Sequence, residues 1–369
     1  MRSLGTTRIE AYVLRRTSVA VLGVFLLLGG VVLLINFVAL SRDIGGRANV
    51  DFGALLGLAA LQTPSVLSIL FPFIFLFGSL AAYVAFNRRS ELVAMRAAGV
   101  SAWRFVFPAG AAAFAFGVIA FAVINPATTA LDRQFETAKA QLTGGDNGEA
   151  ERPARIWLRQ ASGPDQMTLT ARSAHGPGVT LSDVSVYFYI RDAGGGQRLA
   201  RRVDAPTGVL RQGRWILTGA RESLPGQPAG PPQTLSLAST LNERSAMQRL
   251  TQQERASFWA LPAQIAESRA AGLSTNADRL RLHQLLATPL LLAGMTVLAA
   301  AFSLRLLRLG GLPLLATSAI ALGFVFFFIN DLCGALGRAG LLWPAFAGWT
   351  PPLLALLSGL TLLCYTEDG

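Results

Sequence analysis

Six long runs of uncharged, mostly apolar residues constrain this chain more than any other feature of its sequence. A helix needs about 20 apolar residues to cross a hydrocarbon layer about 30 Å thick, so each run is long enough for one membrane span. The second run is too long for one straight span, and we expect Pro64 and Pro72 to separate an interfacial piece from the span proper. Three runs precede a long stretch without one, and three follow it. The third run is expected to stop at Asn125-Pro126. The runs occupy residues 17–40, 55–86, 105–124, 285–304, 312–330 and 341–365.

The composition agrees with a chain that lies largely in lipid. Hydrophobic residues make up 52% and charged residues 14% of the chain, whereas soluble domains are about a quarter charged. The first run has a basic flank, as a signal peptide has, but it is 24 residues long and no small-residue cleavage site follows it. We therefore predict an α-helical membrane protein with six transmembrane helices, three in residues 1–125 and three in residues 285–369. The inserted domain is predicted at 126–284.

The placement of arginine predicts the orientation in the membrane. The net charge is +11, and Lys139 is the only lysine. With the N-terminus inside, the short cytoplasmic segments hold ten arginines and the short outer loops hold three. Basic residues collect on the cytoplasmic side, so both termini are predicted inside and the insertion outside, in the periplasm if the bacterium is Gram-negative. The same placement explains the basic charge without a nucleic-acid partner.

The insertion is predicted to be rich in β-structure. Segments with β-branched and aromatic residues alternate with Gly-rich or Pro-rich turns, which is the pattern of strands. Seven short strands favour a sandwich, a jelly roll or an open barrel, and from residue 257 the pattern becomes helical towards the fourth span. The predicted strands are 155–159, 167–172, 179–191, 198–203, 208–211, 214–222 and 233–241.

The sequence contains no motif for chemistry on this chain. It has no G-x-x-x-x-G-K-[ST] phosphate-binding loop, so ATP hydrolysis by that route is excluded. His175 and His283 are isolated, and Cys333 and Cys364 have no metal-ligand spacing. We therefore expect neither a catalytic site nor a bound metal or cofactor on this chain.

The most informative segment is the loop between the second and third runs. A short amphipathic helix is predicted over residues 88–100, with Ser90 as its cap and Glu91 in its first turn, where a negative charge is favourable. Gly99 is predicted to end it.

Two interpretations of this helix remain open. It is either a solvated interfacial loop that follows the positive-inside rule, or a coupling helix that docks into a separate motor subunit. In the second interpretation Leu92 and Met95, which share a face, are buried in the partner and Glu91 pairs with a basic residue there. Arg89 and Arg96 flank this contact.

The stretch SELVAMRAAGVS at residues 90–101 resembles the signature of the LptF/LptG permeases of the lipopolysaccharide export ABC transporter. The layout of three spans, a β-rich insertion and three spans is similar as well, and so is HQLLATPL at 283–290, which opens the fourth span. GLLWP at 340–344 and WTP at 349–351 look more like LptG than LptF.

The resemblance implies a permease subunit that works without its own enzymatic activity. In the family, one LptF and one LptG enclose a cavity for lipopolysaccharide, and two copies of the ATPase LptB bind ATP and Mg²⁺ and drive closure. The lipid enters between spans one and five and passes into periplasmic β-jellyroll domains, where the single-helix protein LptC continues the bridge. An inner-membrane location follows from the same resemblance.

The resemblance also implies where the lipid path begins. Asn36, Arg42 and Arg47 lie at the outer end of the first span, and arginine suits phosphate or carboxylate head groups through bidentate contacts. Arg42 can equally snorkel to the interface. Asp43 stands where relatives often have a second basic residue, which predicts less positive charge at this entrance.

Aromatic residues of the fifth span are the other candidates for the path. Phe324, Phe326, Phe327 and Phe328 are candidates for lining the acyl cavity, or for facing lipid and packing within the chain. Of these, Phe324 and Phe327 are assigned to the path.

Three rival functions stay open besides an LptG-type exporter subunit. They are an LptF-type subunit of the same complex, a mechanotransmission permease that moves no substrate, and a membrane enzyme with its site in the insertion.

Overall fold

The computed structural model describes residues 2–45, 51–142, 156–162, 165–171, 173–175, 180–191, 197–211, 213–224, 227, 230–239, 256–270, 274–306 and 311–367. The chain divides into two compact units. The helical unit comprises Met1–Leu142, Ala256–Pro262 and Asn276–Gly369, and the sheet unit comprises Thr143–Arg255 and Ala263–Thr275. This division agrees with a helical membrane protein that carries an inserted β-rich domain.

Six helices of the described residues are long and apolar enough to span a membrane, as predicted. Most begin before and end after their apolar runs, whereas the last begins three residues into its run. The helices are α1 (Arg2–Ile44), α2 (Phe52–Arg88), α3 (Glu91–Ala97), α4 (Ala102–Ile119), α5 (Asn125–Leu142), α6 (Leu261–Ala270), α7 (Asn276–Leu306), α8 (Gly311–Arg338) and α9 (Pro344–Glu367).

Helix α2 runs unbroken through both of its prolines, so the predicted division of the second run is wrong. A proline removes one backbone hydrogen bond, but transmembrane helices tolerate this where side chains and neighbouring helices satisfy the freed groups. The carbonyls that lose a donor are those of Ala60 and Ser68, four residues before Pro64 and Pro72. The hydroxyls of Thr63 and Ser68 donate to the neighbouring carbonyls of Ala59 and Ser65, which adds hydrogen bonds to this part of the helix. These bonds lie in the turns beside Pro64.

The third span does not stop at residue 125 either. A π-helical turn, Ala120–Ile124, joins α4 directly to α5. Pro126 follows it and has no N–H for the carbonyl of Ala122, and the indole N–H of Trp259 donates to that carbonyl at 3.0 Å. The wider π turn and this replacement donor explain why the proline does not end the helix.

Glycines allow the spanning helices to approach closely. A Cβ built on Gly117 of α4 would lie 2.4 Å from the Cα of Pro289 in α7, and one on Gly294 of α7 would lie 2.8 Å from the backbone nitrogen of Leu356 in α9. Small residues at such crossings are a common way to pack helices in a membrane. Helix α7 is therefore tightly packed against two neighbours.

The described strands of the insertion form one seven-stranded antiparallel sheet. Its order is β1-β2-β4-β5-β6-β7, and β3 pairs with β4. The predicted strands 198–203 and 208–211 are a single strand, and β3 was not predicted because its three residues carry too little pattern. The strands are β1 (Ile156–Ser162), β2 (Asp165–Ala171), β3 (Ser173–His175), β4 (Thr180–Arg191), β5 (Gln197–Arg211), β6 (Arg214–Ser223) and β7 (Gln233–Ala238).

One face of this sheet carries an apolar core. Side chains alternate between the two faces of a strand, and in β6 Trp215 and Leu217 are fully buried whereas Ile216 and Thr218 are exposed. The buried residues of β2, β4, β5, β6 and β7 form a single cluster. The β-rich prediction for the insertion is thus confirmed.

The ladder is interrupted at one level of three adjacent strands. Asp183 in β4 has φ 51°, and Gly219 in β6 has φ 69°. Pro206 in β5 lies between them and cannot donate to a ladder. Such irregularities bend strands, so we expect the sheet to bend at this level.

Candidate functional site

Helix α3 forms the turn between the second and third spanning helices. It covers seven residues, Glu91–Ala97, rather than the predicted 88–100. Ser90 has φ 58° and makes no side-chain cap, so the predicted capping role is wrong. The reason is local: the N–H of Ser90 donates to the carbonyl of Asn87, which closes a tight turn directly after α2.

The end of α3 follows the prediction. Gly99 adopts φ 79°, its N–H donates to the carbonyl of Arg96, and the N–H of Val100 donates to the carbonyl of Met95. This is the Schellman arrangement, in which a residue with positive φ lets the chain leave the helix with its last carbonyls satisfied. Both ends of α3 are therefore held by backbone hydrogen bonds.

The inner face of α3 packs within this chain. Leu92 is 2% exposed and belongs to a cluster with Val13 of α1, Phe86 of α2 and Phe105 of α4, and Met95 packs against the same cluster. Leu92 is thus not free to be buried in a partner, which corrects the prediction for that residue. Its burial instead fixes α3 against three helices.

The outer face of α3 is the one open to a partner. Val93 is 60% exposed, and Ala94 and Ala97 are exposed with it. Arg89 is exposed before the helix, and Arg96 is half-buried within it. The sequence prediction missed Val93, although its spacing of four from Ala97 puts the two on one helical face away from Leu92.

Glu91 is engaged within the chain. Its carboxylate accepts a hydrogen bond of 3.0 Å from the hydroxyl of Tyr12 in α1. Both residues line a shallow cleft of about 380 Å³ between α1 and α3, together with Arg8, Ile9, Ala94 and Met95. The first helix therefore contacts α3 directly, a link that sequence spacing alone does not reveal.

The residues predicted for the start of the lipid path have different environments. Asn36 is 9% exposed and its amide donates to the hydroxyl of Thr63 at 3.4 Å, so it faces α2. Arg42 is exposed. Arg47 lies outside the described residues.

The acidic residue next to Arg42 has its own cation. The ammonium of Lys139 in α5 lies 2.8 Å from the carboxylate of Asp43. We expected Asp43 to reduce the positive charge at this end of α1. Because the positive charge of Lys139 neutralises the negative charge of Asp43, the positive charge of Arg42 is left over at this end of α1.

The aromatic candidates of the fifth span divide by face. Phe324 and Phe327 are exposed, and the ring centroid of Phe327 lies 6.1 Å from that of Phe73 in α2. Phe326 is buried among α2, α7 and α9 residues. Helix α8 packs mainly on α7 and α9, whereas α1 packs mainly on α2 and α4. Among the described residues, the α1 and α8 candidates are therefore not brought together.

Side chains that could hold a metal do not gather in the described part of the chain. No group of three or more His, Cys, Asp or Glu side chains occurs there. His283 is instead a partner of Trp349, whose indole N–H lies 3.4 Å from the His283 Nδ1. Its role in the described structure is to join α7 to α9.

Comparison with known proteins assigns the family. No curated protein matches the chain significantly. The family model of the lipopolysaccharide export system permease LptF/LptG matches residues 11–365, which is nearly the whole chain. The match includes all six spanning helices, α3 and the inserted sheet unit. The chain therefore belongs to the LptF/LptG family of lipopolysaccharide export permeases.

Proposed function

We propose that this chain is the LptG-type permease subunit of a lipopolysaccharide export ABC transporter. Family membership supports a permease of this transporter, and the GLLWP and WTP segments at 340–344 and 349–351 favour LptG over LptF. An LptF-like permease, two LptB-like ATPases and an LptC-like protein complete the complex. ATP and Mg²⁺ bind to the ATPases, and this chain supplies membrane spans and a periplasmic sheet domain.

The arginine distribution supports an inner-membrane orientation with α3 and both termini in the cytoplasm. In this orientation α3 faces the compartment that contains ATP. The end of α1 that carries Arg42 and Asp43 then faces the periplasm, where a head group leaves the membrane surface.

The outer surface of α3 is the observation that carries the coupling role. An exposed valine beside exposed alanines and an exposed arginine is an apolar patch with a basic rim, as protein interfaces commonly have. Leu92 packs α3 against α1, α2 and α4. A displacement of α3 by a partner bound at Val93 would therefore be transmitted to all three helices. The anchor and the patch therefore suit transmission of ATPase movement into the bundle.

The lipid path in this proposal is formed by two permeases. The α1 candidates and the α8 candidates have different neighbours within this chain. A gate between spans one and five thus pairs α1 of one permease with α8 of the other. Arg42, with Lys139 one salt bridge away through Asp43, offers cationic groups to an anionic head group at that gate.

The coupling role is tested by Val93→Asp, with Val93→Thr as a control of nearly the same size. Burying a carboxylate in a desolvated interface is costly. We therefore expect the amount of ATPase that stays bound to the purified permease to fall at least about tenfold for the aspartate variant. The threonine variant should retain most of it. Glu91→Arg should also weaken coupling. This change removes the hydrogen bond from the Tyr12 hydroxyl as well, so Tyr12→Phe, which removes only that bond, is its control. Normal assembly and lipid-coupled hydrolysis in Val93→Asp would contradict the proposal.

The path is tested by photo-crosslinking amino acids in cells. Replacements at Arg42, Phe324 and Phe327 should form adducts with lipopolysaccharide, and a replacement at Val19, exposed near the start of the first apolar run, should not. Absence of adducts at all three path positions would count against export and in favour of a permease that moves no substrate.

A further inference from the structure

The helical unit contains a cavity that the proposed path does not use. It has a volume of about 470 Å³ and lies among α1, α2, α4 and α7. Its walls are almost entirely apolar and include Phe25, Phe71 and Phe116. None of Asn36, Arg42, Phe324 and Phe327 lines it. Ligand sites in proteins commonly have this size and an apolar lining with a few polar groups.

The polar groups of this cavity are hydroxyls. Thr17 is 4% exposed, and its hydroxyl oxygen has no hydrogen-bond partner among the described residues. Ser79 and Thr296, both fully buried, lie 3.5 Å apart in the same wall. A buried hydroxyl without a partner costs free energy, and a ligand with an acceptor group would satisfy it. Thr17 thus marks where the polar part of a ligand would lie.

The dimensions of the cavity match one hydrocarbon chain. Its α2 wall runs from Pro64 to Ser79, which is about 22 Å of helix at the α-helical rise. A cavity of this length with an apolar lining suits an extended hydrocarbon chain.

The surroundings of Thr17 match the polar part of a lipid. Arg15 and Arg16 precede it in α1 and are exposed, and the guanidinium of Arg16 lies 5.7 Å from the ring centroid of Tyr12. Arginine at the end of a span lies at the level of the head groups. A chain whose ester reaches Thr17 would have its phosphate near these arginines.

We propose that this cavity is a phospholipid-binding site, in which one acyl chain occupies the cavity and its ester carbonyl accepts a hydrogen bond from Thr17. The site is separate from the export path and does not depend on the proposed export function. Its occupant fills the space between α1 and the other three helices, so binding supports the position of α1.

The proposal is tested with the full-length chain in nanodiscs of phosphatidylethanolamine and phosphatidylglycerol, without ATPase or lipopolysaccharide. Two photoreactive phosphatidylethanolamines are used, with a diazirine either near one ester or at the end of that chain. After irradiation and peptide mapping, the ester-side probe should label the segment around Thr17. The chain-end probe should label segments nearer Phe25 and Phe116.

Two variants on α4 provide the matched comparison. Ala112 lines the cavity, and its neighbour Ala111 is exposed and does not line it. Ala112→Phe should reduce cavity labelling at least about fivefold because the ring occupies the space of the chain. Ala111→Phe should leave it unchanged. Equal labelling in both variants, or labels confined to exposed residues such as Val19 and Leu26, would overturn the proposal.

Two further measurements keep the test decisive. Thr17→Val preserves side-chain shape, so it should fold even if Ala112→Phe does not, and ester-side labelling should fall about fivefold through the lost hydrogen bond. Unchanged labelling in Thr17→Val would overturn the role of its hydroxyl. Displacement of the probe by lipopolysaccharide but not by excess unlabelled phospholipid would also overturn the proposal, because it would assign the cavity to the transported lipid.

Discussion

Helices α1 and α7 both span the membrane, but they serve the fold in opposite ways. The most apolar window of α1 has the highest mean hydropathy of the six spans, and 6% of that window is buried within the chain. The corresponding window of α7 is less apolar, and 67% of it is buried. Hydropathy does not predict burial across the other spans either, since the window of α8 is less apolar than that of α7 and only 22% buried. The mean hydropathy of a span therefore does not report packing within the chain.

The residues of the two helices explain the difference. In α7 the small residues Gly294, Ala299 and Ala300 let neighbouring helices approach, and little of their surface remains exposed. In α1 large residues such as Leu27 and Leu34 point outward. Lipid is as apolar as leucine, so close packing rather than hydrophobicity joins helices in a membrane. Helix α7 is the scaffold of the unit, and α1 presents a surface to its surroundings.

The largest test of this contrast replaces one leucine in each helix. Leu298 of α7 is 1% exposed and Leu27 of α1 is 66% exposed. Leu298→Ala should lower the free energy of unfolding by about 2–4 kcal/mol because it leaves a cavity in a packed site. Leu27→Ala should change it little, since lipid or detergent fills the space. Thermal unfolding of the purified chain in one detergent measures both, and equal losses would break the contrast.

A second test makes the same change in two glycines. Gly294→Ala places a methyl group against the backbone of α9 and should destabilise the chain by about 1–3 kcal/mol. Nothing lies within 4 Å of a Cβ at Gly23 of α1, so Gly23→Ala should stabilise the helix by up to about 1 kcal/mol through helix propensity. Denaturant titration followed by circular dichroism distinguishes the two signs. A loss of stability in Gly23→Ala would indicate that α1 packs more closely than described.

A third test removes one hydroxyl from each of two tyrosines. Tyr83 in the interior donates to the carbonyl of Phe105, and Tyr12 of α1 donates to the half-buried Glu91. Tyr83→Phe should cost about 1 kcal/mol because the bond is buried, and Tyr12→Phe should cost less because water replaces the lost partner. Unfolding midpoints measure both changes. A larger effect at Tyr12 would mean that the link from α1 to α3 contributes more to stability than its exposure indicates.

The smallest effect is expected at the far end of α1. Lys139→Met removes the salt bridge to Asp43, and partly exposed ion pairs contribute about 0–1 kcal/mol. Added salt should reduce the difference between the variant and the native chain, because salt screens exposed charges. Stability measured at low and high ionic strength checks this. A difference that does not depend on salt would exclude an electrostatic origin.

Several features of the fold could be predicted from sequence because they depend on local composition. The six spans follow from apolar length, and the end of α3 follows from Gly99, the residue best suited to φ 79°. The breaks expected at Pro64, Pro72 and Pro126 do not occur. Helix continuity at Pro126 depends on Trp259, which is more than a hundred residues away in the chain.

The candidate site shows the same limit. The sequence identified the α3 segment, but the coupling interpretation assigned Leu92 to a partner, because an apolar residue at helical spacing indicates a buried face without saying what covers it. The packing of Val13, Phe86 and Phe105 around Leu92 decides that the cover is this chain. The pairing of Asp43 with Lys139 likewise joins residues far apart in sequence.

The sequence by itself determined the class of the protein, the number of spans, the β-rich insertion and the family resemblance, since these depend on length, composition and short motifs. Only the tertiary structure decided which span is the scaffold, which face of α3 is open and that a cavity with an unpaired hydroxyl lies beside α1. Those properties depend on distances between side chains of different helices. Hydropathy cannot distinguish a leucine that faces lipid from one that faces another helix, because both environments are equally apolar.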